Sequence, residues 1–545
     1  MGPELFGRYR PWWLIILVLA LASWWVLKES DRPASAAGQV TLAVDPSLEQ
    51  VAHGLVQRFQ AAHPRTGVAV KPVAPALLPL FLRSGRADLA LTRENEQVAG
   101  SEASRTFPRA ILFYDPLVLA APVFSSLEGL TSRQAEEFLA GKGPANDEIK
   151  IMRLTELHPG LRPLPVDGIP PTLDNIASGR YRPARPVVLW ERPARIWRPQ
   201  FNRAAGQLAT WLKSAEAAEA FYGTRTATLA VVGDIMLARG VARKIREQGL
   251  EYPLARTAAR LQRADFAFAN LESPFGLKGR PIPDKLIWFR ADPSYVAALT
   301  GAGIDAVTLA NNHILDYDTE NFLETLEILE RNGILYTGGG RTLGEARRPL
   351  LAEVKGIRVA FLGYSQFADL FWSWKYRRSF AATGTLPGVA PMREDYIIED
   401  IRQARSVADI VVVAFHWGEE YQNYPTAAQV ALGHRAVETG ADIVLGFHPH
   451  AIQGIEFYRQ GVIAYSLGNF VMDQKRDITR ESMILEFLLS PRGVLGVEIV
   501  PAMIDEGQPR ILEGEERLQL LSKFRSLSSI AKEDFGKKSR IITNN

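Results

Sequence analysis

The sequence contains no cysteine among its 545 residues. Disulfide bonds, zinc sites built from thiolates and a lipid-modified N-terminal cysteine are therefore excluded. An excess of one charge is also lacking, since 63 basic and 60 acidic residues leave a formal net charge of +3. A balance this close to neutral gives no indication of a nucleic-acid partner, and we expect none. Internal repeats and long low-complexity runs are absent as well.

One long uncharged apolar run is present, at residues 11–27. Its length of about 17 residues is near the lower limit for a membrane-spanning helix. Because arginines precede the run, we expect residues 1–10 in the cytoplasm, residues 28–37 as a linker and the bulk of the chain outside the cell membrane, as a single-pass protein. A cleaved signal peptide is the alternative, and the bulky tryptophans that close the run count against it.

The remaining chain has the composition of a globular α/β protein. Hydrophobic residues make up 47% and charged residues 23%, which is typical of a large core. Short apolar strands alternate with helices throughout residues 38–222, and this alternation indicates an α/β layer. The region is similar to the type 2 periplasmic substrate-binding fold, and most of all to its phosphate-binding branch, in the segments VTLAVDPSL, RADLALT, FYDPLVLAAPV and LPVDGIPPTLDNIASGRYRPARPVVLW.

That resemblance implies a phosphate or another anion as a ligand of the N-terminal domain. Such ligands bind at helix N-termini, where free N–H groups converge. Ser47 and Thr92 are the candidate contacts, and the alternative is that they are only a helix cap and a turn residue. The domain is alternatively a docking module without a ligand.

The second domain, residues 224–525, repeats one pattern: an apolar strand ends at a polar residue that can do chemistry. These strand-end residues are Asp234, Glu272, Asn312, His416, His448 and His450. In open α/β sheets, ligands bind outside the carboxyl ends of the strands. We therefore expect the six side chains to meet at one edge and to hold metal. A lone strand-end histidine is more often structural, but His313, next to Asn312, brings the number of such histidines in this domain to four, which favours a metal site.

This donor set suits two divalent ions if one carboxylate bridges them, with Mn, Fe or Zn as the candidates. Paired ions stabilise the attacking and leaving oxygens of a displacement. His313 is predicted to donate a proton, and Asp316 to hold its ring. Asn469 and Glu420 are predicted to contact the metal-binding side chains and orient them. For Glu420 the alternative is that it is part of a solvated turn.

Six motifs in this domain make the interpretation specific: VVGDIMLARGV, ANLESPF, LANNHILDYD, AFHWGEEY, GFHPHAIQGIE and YSLGNFVMDQ. In these motifs the domain resembles the CapA family, the capsule and poly-γ-glutamate synthesis proteins with a calcineurin-like metallophosphoesterase fold. The resemblance implies an α/β sandwich, metal at the six residues named above and His313 as the acid. Two departures stand out. The first strand ends in Gly233-Asp234 instead of Asp-x-His, and Phe447 replaces the first histidine of Gly-His-His-Pro-His.

The complete expectation is an α/β protein with a transmembrane helix, a periplasmic-binding-protein-like domain, a metallophosphoesterase-like sandwich and a tail at residues 526–545. We expect a metal-dependent hydrolase acting on a phosphoester, or on an amide of an anionic polymer such as poly-γ-glutamate or capsule polysaccharide. Its expected partners are the membrane and other membrane proteins of capsule synthesis. A non-catalytic polymer-binding or export component is the alternative, and a further alternative makes the first domain an anion sensor.

Overall fold

The computed structural model describes residues 39–94, 107–142, 148–192 and 199–529. These residues form two compact units. The first takes its described residues from 39–115 and 185–223, and the second from 116–184 and 224–529. Residues 116–184 therefore belong with the second unit, although they were included in the first predicted domain. The predicted domain limits themselves stay predictions.

The predicted transmembrane helix and membrane location require correction. In the part of the chain that the structure describes, no helix is long and apolar enough to cross a membrane. The longest described helix, Gly514–Ser529, has 16 residues and carries charges, whereas a span needs about 20 apolar residues. The single-pass anchor is therefore not supported. The run at 11–27, on which this prediction rested, lies outside the described residues.

The strands and helices of the described residues are numbered here in chain order. The strands are β1 (Val40–Val44), β2 (Val68–Pro72), β3 (Leu89–Arg93), β4 (Arg109–Tyr114), β5 (Leu117–Pro122), β6 (Lys150–Arg153), β7 (Leu161–Pro163), β8 (Pro186–Glu191), β9 (Ala227–Ile235), β10 (Phe266–Leu271), β11 (Ala306–Thr308), β12 (Leu335–Thr337), β13 (Gly339–Gly340), β14 (Leu350–Val354), β15 (Ile357–Ser365), β16 (Gly388–Val389), β17 (Ile410–His416), β18 (Ile443–Phe447), β19 (Ile455–Tyr458), β20 (Gly461–Ala464), β21 (Asn469–Val471), β22 (Glu481–Ser490), β23 (Gly493–Asp505) and β24 (Gln508–Ile511). The α-helices are α1 (Glu49–Ala62), α2 (Leu78–Ser84), α3 (Ser132–Leu139), α4 (Leu173–Ala177), α5 (Pro199–Leu212), α6 (Ala215–Tyr222), α7 (Arg239–Gln248), α8 (Ala258–Leu261), α9 (Val296–Gly301), α10 (Asp318–Arg331), α11 (Leu343–Arg347), α12 (Glu394–Val407), α13 (Ala427–Thr439), α14 (Asp477–Arg480) and α15 (Gly514–Ser529).

The first unit is built on a five-stranded sheet in the order β2-β1-β3-β8-β4. Strands β2, β1 and β3 run parallel, and β8 is antiparallel to both of its neighbours. The hydroxyl groups of the two candidate anion contacts donate hydrogen bonds within the chain. Ser47 Oγ donates to Asp45 Oδ1 at 2.7 Å, and Thr92 Oγ1 donates to the Arg93 carbonyl at 3.1 Å. An anion ligand of this unit stays a prediction.

The second unit contains a sandwich of two sheets. One sheet has the order β12-β11-β10-β9-β22-β23-β24 with β21 beside β9, and the other has the order β14-β15-β17-β18-β20-β19. We call them the first and the second sheet. Their facing sides form one apolar core, in which the rings of Phe268 and Phe361 stack with centroids 4.9 Å apart. Burial of each such side chain stabilises the fold by about 1.5–3 kcal/mol.

Helices cover the outer faces of both sheets. Apolar residues of α7, α9 and α10, such as Ile245, Leu299 and Phe322, pack on the first sheet. Ile397 and Ile401 of α12 and neighbouring residues of α13 pack on the second sheet. The result is a layered helix–sheet–sheet–helix arrangement. Within each sheet the strands that carry the predicted site residues are parallel, so their carboxyl ends lie at the same edge.

Candidate metal centre

Oxygen donors come from the first sheet. Asp234 lies near the end of β9 and is fully buried. The neighbouring strands β10 and β21 place Asn270 and Asn469 opposite it in register. Asn270 Nδ2 donates to Asp234 Oδ1 at 2.8 Å, which fixes the orientation of the carboxylate. Asp234 Oδ2 accepts the backbone N–H of His448 at 3.4 Å and also lies 3.4 Å from His450 Nδ1.

Glu272 follows β10 directly and is also fully buried. Neither of its carboxylate oxygens has a hydrogen-bond partner among the described residues. Burial, together with repulsion from Asp234, raises the pKa of Glu272 well above its usual value. A buried acceptor without a partner costs about 1–3 kcal/mol, and more when it is charged. A cation at this position would remove that cost.

The turn after β11 positions Asn312 and His313. Asn311 Oδ1 accepts hydrogen bonds from the backbone N–H groups of His313 and Ile314, at 3.0 and 2.9 Å. Its Nδ2 donates in turn to Asn270 Oδ1 at 3.0 Å. The amide side chains thus link the ends of β9, β10 and β11 into one network.

Imidazoles come from the second sheet. His416 is the last residue of β17, and His448 and His450 follow β18. Both of the latter have positive φ angles, +97° and +55°, which are uncommon for residues other than glycine. Gly446, within β18, allows the strand to pass close to Tyr465, because a Cβ atom there would lie 1.8 Å from the Tyr465 carbonyl oxygen.

The donor atoms of the two sheets converge. Asp234, Glu272 and His450 each offer a ligand atom within 4.8 Å of the others, and this buried group could hold a metal ion. His416 Nε2 lies 2.9 Å from Asn312 Oδ1 and 3.9 Å from Glu272 Oε1. Glu272 Oε1 is also 3.9 Å from His450 Nε2. Two atoms that bind one ion at about 2.1 Å lie roughly 3.0–3.5 Å apart, so these spacings approach those of a ligand shell.

The electrostatics also fit a cation. Burial lowers the pKa of His416 and of His448 well below the usual value, so both rings are neutral and able to bind metal. The Nδ1 atoms of these two rings have no hydrogen-bond partner within the described part of the chain. Burial alone would lower the pKa of His450, but Glu272 and Asp234 raise it to about 9. The two carboxylates thus favour a positive charge beside His450.

His313 and Asp316 form a pair beside this group. His313 Nδ1 lies 2.7 Å from Asp316 Oδ2, which also accepts the backbone N–H of Phe289 at 2.7 Å. Burial lowers the pKa of His313, an effect that Asp316 partly offsets. The imidazole also stacks on the Phe289 ring, with centroids 4.1 Å apart. The ring is thus fixed on one edge and one face.

The two predicted supporting residues differ in position. Asn469 Oδ1 lies 2.8 Å from His450 Nδ1, where it holds the ring. Glu420 is exposed and makes no direct contact with the predicted metal donors among the described residues, although its negative charge contributes to raising the pKa of Glu272. All six predicted ligands do come together, and their role as ligands stays a prediction.

Sequence reasoning missed several residues of the site. Asn270 and Asn311 lie at the same strand ends as the predicted ligands, so the strand-end pattern could have included them. Lys285, which contacts Asp316, carries no such signal because it lies in a long irregular segment. The same holds for Phe367, whose ring lies 4.1 Å from that of His448.

The two departures from the family pattern have structural counterparts. Met236 occupies the position two residues after Asp234, and it is fully buried in the core under the helices. Phe447 is fully buried in the core between the sheets. Both positions therefore contribute to packing, and the described site is formed without a metal-binding side chain at either.

Comparisons with known proteins agree with the motifs. A family model described as "Bacterial capsule synthesis protein PGA_cap" matches residues 228–474. The "Capsule biosynthesis protein CapA" of Bacillus anthracis is 35% identical over 311 residues, which are 55% of this chain and 74% of that protein. The "PGA biosynthesis protein CapA" of Bacillus subtilis is 32% identical over 290 residues, or 53% and 74% of the two chains.

A solved structure gives a weaker likeness. An ABC-type phosphate transport receptor from Vibrio cholerae is 16% identical, and the likeness covers 34% of this chain and 98% of the receptor, with a TM-score of 0.29. A score this low carries no argument about a ligand. The motifs and the two relatives suffice for the assignment: the chain belongs to the bacterial capsule synthesis protein family that includes CapA.

Proposed function

We propose that the protein is a metal-dependent hydrolase of capsule or poly-γ-glutamate synthesis. The observation that carries the proposal is Glu272, a fully buried carboxylate without a partner among the described residues, 3.9 Å from an imidazole on either side. The names of the two CapA relatives support a substrate that is an anionic polymer of the cell envelope. The bond to be cleaved is a phosphoester, or an amide within such a polymer.

Two divalent ions suit this donor set. The residues that would hold them are Asp234, Glu272, Asn312, His416, His448 and His450, and the His448 ring lies 4.9 Å from that of His416 between centroids. Carboxylate, amide and imidazole donors suit Mn, Fe or Zn. Bound ions would supply an activated water and would stabilise the negative charge that develops on the oxygens of the attacked bond.

His313 is proposed to deliver the proton to the leaving group. Asp316 can only accept at Oδ2 when ionised, so His313 Nδ1 is the donor of their 2.7 Å hydrogen bond. The second ring nitrogen, Nε2, is then the one left for proton transfer. Asp316 also stabilises the protonated ring, as the acceptor that orients a general acid.

The test combines metal analysis with cleavage assays on the full chain. We expect about two metal ions per chain by elemental analysis, and metal-dependent cleavage of bis(p-nitrophenyl) phosphate or of poly-γ-glutamate. His448→Ala should lower the metal content, whereas His313→Ala should keep the metal and lose roughly 100-fold or more in kcat. His434→Ala is the matched control, because that ring lies in α13 and pairs with Glu456 at 2.9 Å.

A second candidate is a non-catalytic polymer-binding component with a structural metal site. The buried Met236, which stands where metallophosphoesterases of the resembled pattern carry a ligand histidine, favours it. Bound metal without cleavage of phosphodiester, amide or polymer would support this second candidate and reject the hydrolase. A protein that binds no metal would reject both.

A further inference from the structure

Lys285 is a buried lysine to which the proposed reaction gives no role. Its side chain is 5% exposed, and its ammonium group lies against the proton-transfer pair. It belongs to residues 273–292, the irregular segment between β10 and α9, which we call the first cap segment. Residues 366–387, between β15 and β16, form the second cap segment. A buried ammonium is costly unless it is well paired, so its position calls for a physical reason.

On one side the lysine contacts the site. Lys285 Nζ donates to Asp316 Oδ1 and to the backbone carbonyl of Asn312, and it lies 3.3 Å from His313 Nδ1. The two oxygens of Asp316 are thereby divided: Oδ1 binds the lysine, and Oδ2 binds the His313 ring and the Phe289 N–H. With both oxygens bound, the carboxylate has one orientation.

On its other side the lysine contacts the second cap segment. Its ammonium lies 4.6 Å from the centroid of the Trp372 ring and 5.4 Å from that of Phe380. Such cation–π contacts are worth up to about 2 kcal/mol when they are shielded from water. The two segments are also joined at their surface, because Ser373 Oγ donates to Asp284 Oδ2 at 2.8 Å.

These contacts determine which nitrogen of His313 carries the proton. A histidine with a fixed Nδ1–H donor leaves Nε2 for chemistry, and its partner sets that tautomer. Asp316 holds the Nδ1 proton only while its own orientation is fixed, and Lys285 is the group that binds the opposite oxygen. Phe289, four residues after Lys285 in the same segment, also supports the ring by stacking.

We propose that Lys285 is a positioning residue. It holds Asp316 in place, and through Asp316 it holds the Nδ1–H tautomer of His313, only when both cap segments are packed around the lysine. Proton transfer by His313 then depends on the second cap segment, because Trp372 of that segment contacts Lys285. Its catalytic meaning rests on the proposed hydrolase function, whereas the effect on the tautomer does not.

The direct test is nuclear magnetic resonance of the full chain labelled with ¹⁵N-histidine. The His313 signals are identified by their loss in His313→Ala. We expect the wild-type ring to be protonated at Nδ1, and Lys285→Met to populate the Nε2–H form as well. Lys278→Met is the matched control, an exposed lysine of the same segment that should leave the His313 signals unchanged. An unchanged His313 tautomer in folded Lys285→Met would overturn the proposal.

Trp372→Leu keeps the test decisive if Lys285→Met does not fold. It removes the aromatic face but keeps the ammonium, and we expect a smaller shift of the same His313 signals. Identical His313 signals in Trp372→Leu and wild type would remove the dependence on the second cap segment.

Measurements of kcat and KM distinguish the role of Lys285 from the proposed hydrolase function. If the wild type cleaves phosphodiester, Lys285→Met should lose about 10–100-fold in kcat with little change in KM, as is typical of residues that act through a ligand or acid. Lys285→Arg should recover part of that loss, because a guanidinium can still donate to Asp316. An equal loss in Lys278→Met would count against the proposal. A wild type without activity would reject the hydrolase, while the tautomer measurement would still decide the role of Lys285.

Discussion

Two glutamates of the first sheet are in opposite electrostatic situations. Glu486, on β22, receives hydrogen bonds from both Nε and Nη2 of Arg260, which also lies 3.1 Å from Glu498. Glu272, after β10, has no hydrogen-bond partner among the described residues for either oxygen. Burial is the largest influence on both, and it raises the pKa of each. The protein supplies a cation for Glu486 and leaves Glu272 for a ligand.

The histidines differ in the same way. His434 is partly exposed, pairs with Glu456 and stacks on Tyr458 with centroids 3.8 Å apart. His416 and His448 are buried, and the Nδ1 atom of each has no hydrogen-bond partner among the described residues. Glu486 and His434 thus have charged partners within the chain. At the metal edge, the oxygens of Glu272 and the Nδ1 atoms of His416 and His448 have no hydrogen-bond partner among the described residues.

The largest expected effect concerns metal affinity. Glu272→Gln removes a negative charge from the proposed metal donors, so we expect metal affinity to fall by about 100-fold or more, which corresponds to about 2.7 kcal/mol. Titration of the metal-free protein with Zn²⁺ or Mn²⁺ measures it. Glu486→Gln is the matched control and should bind metal as the wild type does. Equal affinities for wild type and Glu272→Gln would remove the distinction between the two glutamates.

The second prediction concerns stability in the presence of a chelator. Glu486→Gln takes a charged partner from Arg260 and should destabilise the metal-free protein by about 1.5–3 kcal/mol, since hydrogen bonds to charged groups contribute about that much. Glu272→Gln removes a buried charge whose burial and repulsion from Asp234 outweigh its attraction to His450 and Lys285, so the metal-free protein should be as stable as wild type or more stable. Denaturant midpoints measured with EDTA check both. A destabilised metal-free Glu272→Gln would mean that the carboxylate has a structural partner.

The smallest effect belongs to a surface network at the end of β23. Burial would raise the pKa of Asp505, but ion pairs with Arg510 and Arg480 outweigh it and lower the pKa below the usual 3.8. A lowered carboxyl pKa contributes stability above the unfolded pKa that is lost as the pH falls through the folded pKa. Asp505→Asn should therefore cost about 0.5 kcal/mol at neutral pH and progressively less below about pH 4. Denaturant midpoints across this pH range measure the difference, and a cost that persists in acid would contradict the assignment.

Local sequence patterns predicted much of the second unit. The amphipathic pattern of residues 321–331 predicts a helix, and it is part of Asp318–Arg331. A helix is likewise predicted at residues 426–439, and Thr426 caps α13 there with a capping box. Other elements were missed, above all the antiparallel strands β22 to β24, which complete the first sheet. Most positions of β22 are buried on both faces, so the strand lacks the alternation of polar and apolar residues that identifies a half-exposed strand.

The sequence by itself determined that the predicted ligands lie at the ends of apolar strands or within a few residues after them, a pattern readable over a few neighbouring residues. Only the tertiary structure decided that the oxygens come from one sheet and the imidazoles from the other. It also decided that Glu272 lies between them and that Lys285 holds Asp316 from 31 residues away. These relations depend on how the two sheets pack and on where long irregular segments contact the site. Neither produces a periodic pattern in the sequence.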